Sequence, residues 1–381
     1  MVLNHPRLLL MILLAVPWGL CCTKDATPPD TEERPIYVTI FSHNEEPWGS
    51  WVGTRDRYAA YRENLVERVG IIREYGAALD WQSDLTVLQA MIREEDDSLC
   101  ALTEGKNILR YMRDLGVSID PHSHLTQCSY ADIAYWIGQL GVASSGVIGG
   151  LPCLECGTTY LGFLDRMDWR AEIDLGADGL IRGQVVPEAV WRPTILSVPA
   201  MPGHWFDELS SGVWKPGNGD EFLTHHPEEE IVYVGQGYPH DVTNLGPTQA
   251  SGAVIYGEDA AYIKELAQKI EQGEIAGDGM LTASIHIRDC ETVRDNASLV
   301  NVNGALRDML EILKPMAENG DIVFVTYPRV VQIWQDEYAA QPSRVDFSSF
   351  SMYEAVKVQA MAHCGAGLGG ADRDLNAPGS R

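Results

Sequence analysis

Positive charge is scarce in this sequence. Its 28 Lys and Arg stand against 54 Asp and Glu, a formal net charge of -26 over 381 residues. Nucleic acids and anionic membrane surfaces both need clustered Lys and Arg, so neither fits as a partner. After residue 22 no apolar run is long enough to cross a bilayer. No Gly-rich phosphate loop follows the first β-type run, which argues against a nucleotide-binding start. Cys153-Leu-Glu-Cys156 has no second Cys-x-x-Cys to accompany it and no thioredoxin-like surroundings, so it reads as a local disulfide or two loop thiols.

Apolar residues are not scarce. At 45% hydrophobic the chain can bury a sizeable core, as one large domain or two ordinary ones. Residues 1–22 read as an export signal, with Arg7 ahead of Leu8–Val16 and then Pro17 and Cys21-Cys22. A Cys at that place, followed by a polar linker over 23–34, suggests a bacterial lipoprotein held through Cys21 or Cys22; ordinary secretion is the alternative. Export implies an oxidising compartment, in which Cys100, Cys128, Cys153, Cys156, Cys290 and Cys364 could pair.

The body of the chain repeats one pattern. Pro35–Phe41 is a β-branched and aromatic strand, and Tyr58, Tyr61, Leu65, Val69 and Ile72 give one apolar face to a helix over about Arg57–Tyr75. Gly76 stands where a helix C-terminus favours a left-handed residue. Strand Ala77–Asp84, helix Asn107–Leu115, strand Val117–Asp120, helix Tyr130–Leu140 and an apolar segment reaching Val147–Gly150 follow. Late in the chain, helix Asp259–Ile270, strand Leu281–Asp289, helix Ala305–Ala317 and strand Asp321–Tyr327 resume the alternation. Helix and strand alternating at this spacing mean parallel βαβ units. An open doubly wound sheet and a closed barrel both satisfy them, and polar residues at several strand ends favour the barrel. The middle, about 151–257, is rich in Gly, Pro and Trp. Its expected strands are Ala189–Arg192, Gly212–Lys215 and Ile231–Val234, set among long loops.

The chemistry lies at those strand ends. Residues two apart on a strand share a face. That rule groups His43 with Glu45, Asp80 with Gln82 and Asp84, His122 with His124, and His286 with Arg288. A buried parallel strand should stay apolar, so several strands that turn polar only at their ends point to one shared pocket. His122-Ser-His124 suits a divalent metal, zinc first; alone it would read equally as two polar loop residues. Three protein ligands and a water make a catalytic zinc site, and His43, Glu45 or Asp84 could complete it. A carboxylate could serve as base, and His286 could protonate a leaving group. His225-His226-Pro-Glu-Glu-Glu230 is a second cluster, read as a solvated loop.

In order, these features resemble the polysaccharide deacetylase superfamily. Thr39-Ile-Phe-Ser-His-Asn-Glu45 stands at the place of its acidic first motif and His122/His124 at its metal-binding pair. Trp191-Arg-Pro193, Val213-Trp-Lys-Pro216 and Ser284-Ile-His286 stand at its later motifs. The His pair is two apart here rather than the family's usual four, and His43 replaces an expected Asp, which is more like the glycoside hydrolase relatives. The resemblance implies an α/β fold, a distorted parallel (β/α)7-type barrel over 35–340, with a C-terminal helix and tail over 341–381. Together with the export-type start over residues 1–22, it implies an exported, zinc-dependent hydrolase acting on a polysaccharide or other glycan, most simply by removing N- or O-acetyl groups. In it His122, His124 and His43 (or Glu45) would hold the metal and Glu45 or Asp84 would act as base. His286 would act as acid and Arg192 would orient the base; Trp48, Trp191 and Trp214 could stack on sugar, although burial is the commoner use of Trp. Two other readings stand beside it: a glycosidase using Glu45 and Asp84, and a non-catalytic surface protein that binds glycans.

Overall fold

The computed structural model describes residues 34–44, 52–122, 129–149, 171, 175–179, 191–197, 210–217, 221, 223–236, 258–288 and 302–346. The expected export signal, most of the expected linker, Glu45, Trp48, His124, the Cys153/Cys156 pair and the expected C-terminal tail lie outside the described residues.

Within the described residues, β1 (Ile36–Asn44), α1 (Arg55–Glu74), β2 (Leu79–Ser83), α2 (Leu85–Glu94), α3 (Asp97–Cys100), α4 (Ile108–Asp114) and β3 (Ser118–Pro121) come first. Next are α5 (Tyr130–Gln139), β4 (Val147–Gly149), β5 (Ile195–Ser197), β6 (Ser210–Trp214) and β7 (Val232–Gln236). The last are α6 (Glu258–Glu271), β8 (Leu281–Arg288), α7 (Val302–Asn319), β9 (Ile322–Phe324), α8 (Tyr327–Glu337) and β10 (Val345–Asp346). Gly76 and Gly116 take φ of 62° and 89° just past α1 and α4, the left-handed conformation that ends a helix. None of the described helices is long and apolar enough to cross a membrane.

The strands form two sheets. In the first, β3-β2-β1-β8 run parallel in that order, and β9 lies on β1. β9 pairs with Ile36–Val38 and β2 with Ile40–Asn44, so the two share one edge of β1 while β8 takes the other. In the second, the order is β10-β6-β7-β5-β4; β4, β5 and β7 are parallel to one another, and β6 alone runs antiparallel to both of its neighbours, β7 and β10.

The fold is therefore α/β with one parallel and one mixed sheet, but the described strands do not close one continuous ladder. Two seams join the sheets. At one, His122 and Gly149 make a single parallel bridge between the end of β3 and β4. At the other, side chains replace the ladder: Thr282 N donates to Ser211 Oγ at 2.7 Å, and Thr282 Oγ1 accepts from Gly212 N at 2.8 Å. The same hydroxyl bonds to Gly235 O on β7.

Three expectations shift. The strand expected at Ala189–Arg192 falls at β5 instead. Pro193 has no N–H to give a ladder, and pairing starts beyond it, with Thr194 N on Gly146 O at 2.9 Å. Strand β2 stops at Ser83, because Asp84 leaves the strand to cap α2. Helices α2 and α8 were not foreseen.

Period-two alternation divides the first sheet into two faces. Ile36, Val38, Ile40, Leu79, Trp81, Ile119, Ala283, Ile285 and Ile287 pack with Tyr58, Tyr61, Leu65 and Val69 of α1 and with the other helices. On the opposite face Tyr37 and Phe41 meet Val147, Ile195, Val213, Val232, Val234 and Trp334 in a second core. That second face also carries buried polar groups: His43, Asp80, Gln82, Asp120, His122, Thr282, Ser284 and His286. Buried parallel strands are ordinarily apolar on both faces, so this polar strip marks where chemistry can be built.

Candidate functional site

Three imidazoles from three strands meet on that strip. His43, near the end of β1, stacks on His122, just past β3, with ring centroids 3.9 Å apart and planes inclined by 27°. His286 of β8 meets His43 edge-on at 4.4 Å and lies flat on Phe41 at 4.6 Å with 10° between planes. Ladder register explains the meeting: His43 pairs with Gln82 across to β2, Gln82 pairs with Asp120 on β3, and Phe41 pairs with His286 on β8. All three histidines are buried.

Hydrogen bonds orient two of the rings. Gln82 Nε2 donates to Ser197 Oγ at 3.2 Å, so its Oε1 faces His43 and accepts from His43 Nε2 at 2.9 Å. His122 Nδ1 donates to Gly149 O at 2.6 Å. A neutral imidazole that donates from one nitrogen carries its lone pair on the other. His43 thus bears the lone pair on Nδ1 and His122 on Nε2. The end of β1 is clamped as well, since Asn44 Nδ2 donates to Gln82 O at 2.9 Å and Tyr61 Oη donates to Asn44 Oδ1 at 2.6 Å.

This pattern partly fits a metal centre. Metal-bound histidines commonly donate their second N–H to a carbonyl, as His43 and His122 both do. However, among the described residues no group of three His, Cys, Asp or Glu is arranged to hold a metal ion. Glu45 and His124, which sequence reasoning placed in the metal centre, lie outside the described residues.

Two buried carboxylates lie beneath the histidines. Asp120 accepts from Ser118 Oγ and Ser144 Oγ, each at 2.8 Å, from Ser145 Oγ and from Val147 N at 3.1 Å. These bonds tie β3 to the loop before β4. Burial nevertheless pushes the Asp120 carboxyl up to about 6, the hydrogen bonds offsetting only part of the desolvation. Asp80 is raised well above the ordinary carboxylate range, by burial first and by the neighbouring Asp120 second. Its Oδ2 accepts from Tyr327 N at 3.2 Å, and its Oδ1 has no hydrogen-bond partner among the described residues.

The remaining expected residues are dispersed. Asp84 Oδ1 accepts from Thr86 N at 3.0 Å and Val87 N at 3.3 Å, as the N-cap of α2. Arg192 is exposed and Trp191 half-buried; both precede β5, at its start rather than at the end that reaches the histidines. Trp214 is 1% exposed and packs on Tyr233 with centroids 4.6 Å apart, so its ring is taken up by the core rather than presented to a sugar. His225 Nδ1 accepts from Lys215 N, and His226 lies beside Glu228 at 3.2 Å, as an outlying loop cluster. Cys100 is a free thiol, donating to Glu95 Oε2 at 3.5 Å.

Gly149 and Ser197 are not marked by the sequence, and Gln82 is grouped there with Asp80 and Asp84 but given no role. Gln82 shares the strand period with Asp80. Gly149 sits inside an apolar run, where glycine often marks a close approach. A Cβ there would lie 1.7 Å from Gln82 Oε1.

No protein-family model matches the chain, and no curated protein matches it. Among solved structures, the 4-alpha-glucanotransferase of Thermococcus litoralis is similar at 13% identity and a TM-score of 0.44, over 81% of this chain and 41% of that one. This chain therefore spans well under half the glucanotransferase's length. The allantoinase PuuE is similar at 10% identity and a TM-score of 0.45, covering 85% of this chain and 99% of that one. The peptidoglycan deacetylase PdaC from Bacillus subtilis is similar at 11% identity and a TM-score of 0.31, covering 82% of this chain and 96% of that one. Structures described as polysaccharide deacetylases, from Mycobacterium smegmatis and Pseudomonas aeruginosa, are also similar, at 9% and 10% identity and TM-scores of 0.42 and 0.46.

Proposed function

We propose that this chain is an exported, metal-dependent hydrolase of carbohydrates, most simply one that removes acetyl groups from an amino sugar or polysaccharide. The observation that carries the reading is the convergence of His43, His122 and His286 from three strands, at 3.9 Å and 4.4 Å between ring centroids. The sequence motifs at these strand ends and the export signal support it. The two seams between the sheets support the barrel architecture that such a site needs.

His122, His43 and His124 would hold the metal, zinc in the first place. A bound zinc supplies a Lewis acid that polarises a carbonyl and lowers the pKa of a coordinated water. Glu45, which directly follows β1, takes the role of base. Asp84 is the weaker choice, because its Oδ1 is committed to the α2 amides. His286 would serve as the acid; its ring lies flat on Phe41 and edge-on to His43, which supports that role. The glycosidase alternative requires Asp84 as a second reacting carboxylate and is disfavoured by the same cap.

The test is acetate release from N- and O-acetylated oligosaccharides by the full chain. We expect release by the wild type and a fall of about 10²–10⁴-fold in kcat in His286→Ala, the usual contribution of a proton-transfer residue. Cleavage of glycosidic bonds without acetate release would overturn the reading, as would full activity in the variant.

A further inference from the structure

The hydrogen bonds around the histidines have a direction, and it is set by one short strand. Successive carbonyls of a β-strand point to opposite sides. In β4, Ile148 O faces β5 and accepts from Ser197 Oγ at 3.3 Å. The next carbonyl, Gly149 O, faces β3 and accepts from His122 Nδ1 at 2.6 Å. Because the Ser197 proton is committed to Ile148 O, Ser197 Oγ accepts from Gln82 Nε2 at 3.2 Å. Gln82 must then turn Oε1 toward His43 Nε2, 2.9 Å away. One chain of donors therefore runs from His43 through Gln82 and Ser197 to Ile148 O, and a second runs directly from His122 to Gly149 O.

The space for this arrangement is also supplied by β4. Gln82 lies across Gly149, where a Cβ would come within 1.7 Å of its Oε1 and 2.4 Å of its Cδ. Any side chain at this position would displace Gln82 from His43.

We infer that Gln82 and Gly149 form a positioning device that fixes opposite tautomers on the two stacked histidines, so that His43 presents Nδ1 and His122 presents Nε2. The inference rests on reading the histidine cluster as the reactive centre. Neither Gln82 nor Gly149 need touch substrate; they act through the imidazoles. Stacked rings 3.9 Å apart with the same tautomer would offer their lone pairs from equivalent edges, whereas opposite tautomers offer them from different ring positions. A metal or a polarised substrate held between strands needs ligands that are set before it arrives.

The device is tested without substrate, by long-range proton–nitrogen correlation of ¹⁵N-histidine in the full chain, at a pH where the rings are neutral. We expect His43 protonated on Nε2 and His122 on Nδ1. Gln82→Leu should convert His43 to a tautomer mixture and leave His122 unchanged. Gly149→Ala should disturb His43, to which it is not bonded, more than His122, to which it is. Gly149→Ala should also lower the melting temperature in the wild-type background but not when Gln82 is already Ala. His43 protonated on Nδ1, or a Gly149→Ala effect confined to His122, would overturn the inference. A chain that shows these tautomers but releases no acetate supports the device and rejects only the hydrolase reading.

Discussion

Burial acts differently on each titrating residue of the polar strip. Asp120 has four donors, yet its carboxyl is held up to about 6 because desolvation exceeds what those donors return. The sign of the consequence follows from linkage. An acid whose folded pKa lies above its unfolded value near 4 binds its proton more tightly in the native state. Its contribution to stability is greatest below about pH 4 and declines as pH rises through about 6. For Asp120 the decline should be on the order of 3 kcal/mol, from a shift of about two pH units at about 1.4 kcal/mol each. Asp120→Asn should lack that slope when denaturant unfolding is followed from pH 4 to pH 7. An identical pH profile in the variant would show that the native carboxyl is not raised. At this scale the sequence was readable in part. Period two grouped polar residues within single strands, and polar residues at several strand ends pointed to one shared pocket. The hydrogen-bond partners that orient them depend on which strands become neighbours, and spacing alone does not contain that.

At the scale of elements, helices α1, α4, α5, α6 and α7 and the parallel strands of the first sheet followed from apolar periodicity and from glycine at helix ends. The misses have local physical causes. Asp84 looked like a third polar strand residue after Asp80 and Gln82, but an Asp ahead of Leu-Thr-Val is also a helix cap, and the cap prevailed. Pro193 moved the start of β5 past Trp191 and Arg192, leaving the expected orienting Arg exposed at the wrong end of the strand. That shift also hid Ser197, the residue of β5 that reaches Gln82. The seam at Thr282 could not be read either, because it joins β8 to β6 and β7 by side chain rather than by ladder. Thr282→Val keeps the shape but strands the Gly212 amide and the Gly235 carbonyl. We expect a loss of about 1–3 kcal/mol in unfolding free energy, the range for buried groups left without partners. A variant as stable as the wild type would mean that this seam does not hold the sheets together.

At the scale of the whole molecule, an acidic, core-forming chain carries one buried polar strip between two sheets, and that strip gathers histidines separated by most of the described sequence. Desolvating three imidazoles side by side costs free energy that hydrogen bonds must offset, so such a cluster is a candidate for function rather than for packing alone. The reading offered here is that they form, with Glu45 and His124, a metal-dependent hydrolytic centre. Its most direct test is the metal content of the purified full chain, beside that of a folded His122→Ala variant. The account predicts about one zinc per chain in the wild type, lost together with acetate-releasing activity in the variant. A folded wild type that binds no divalent metal, or a variant that retains the same zinc, would contradict it.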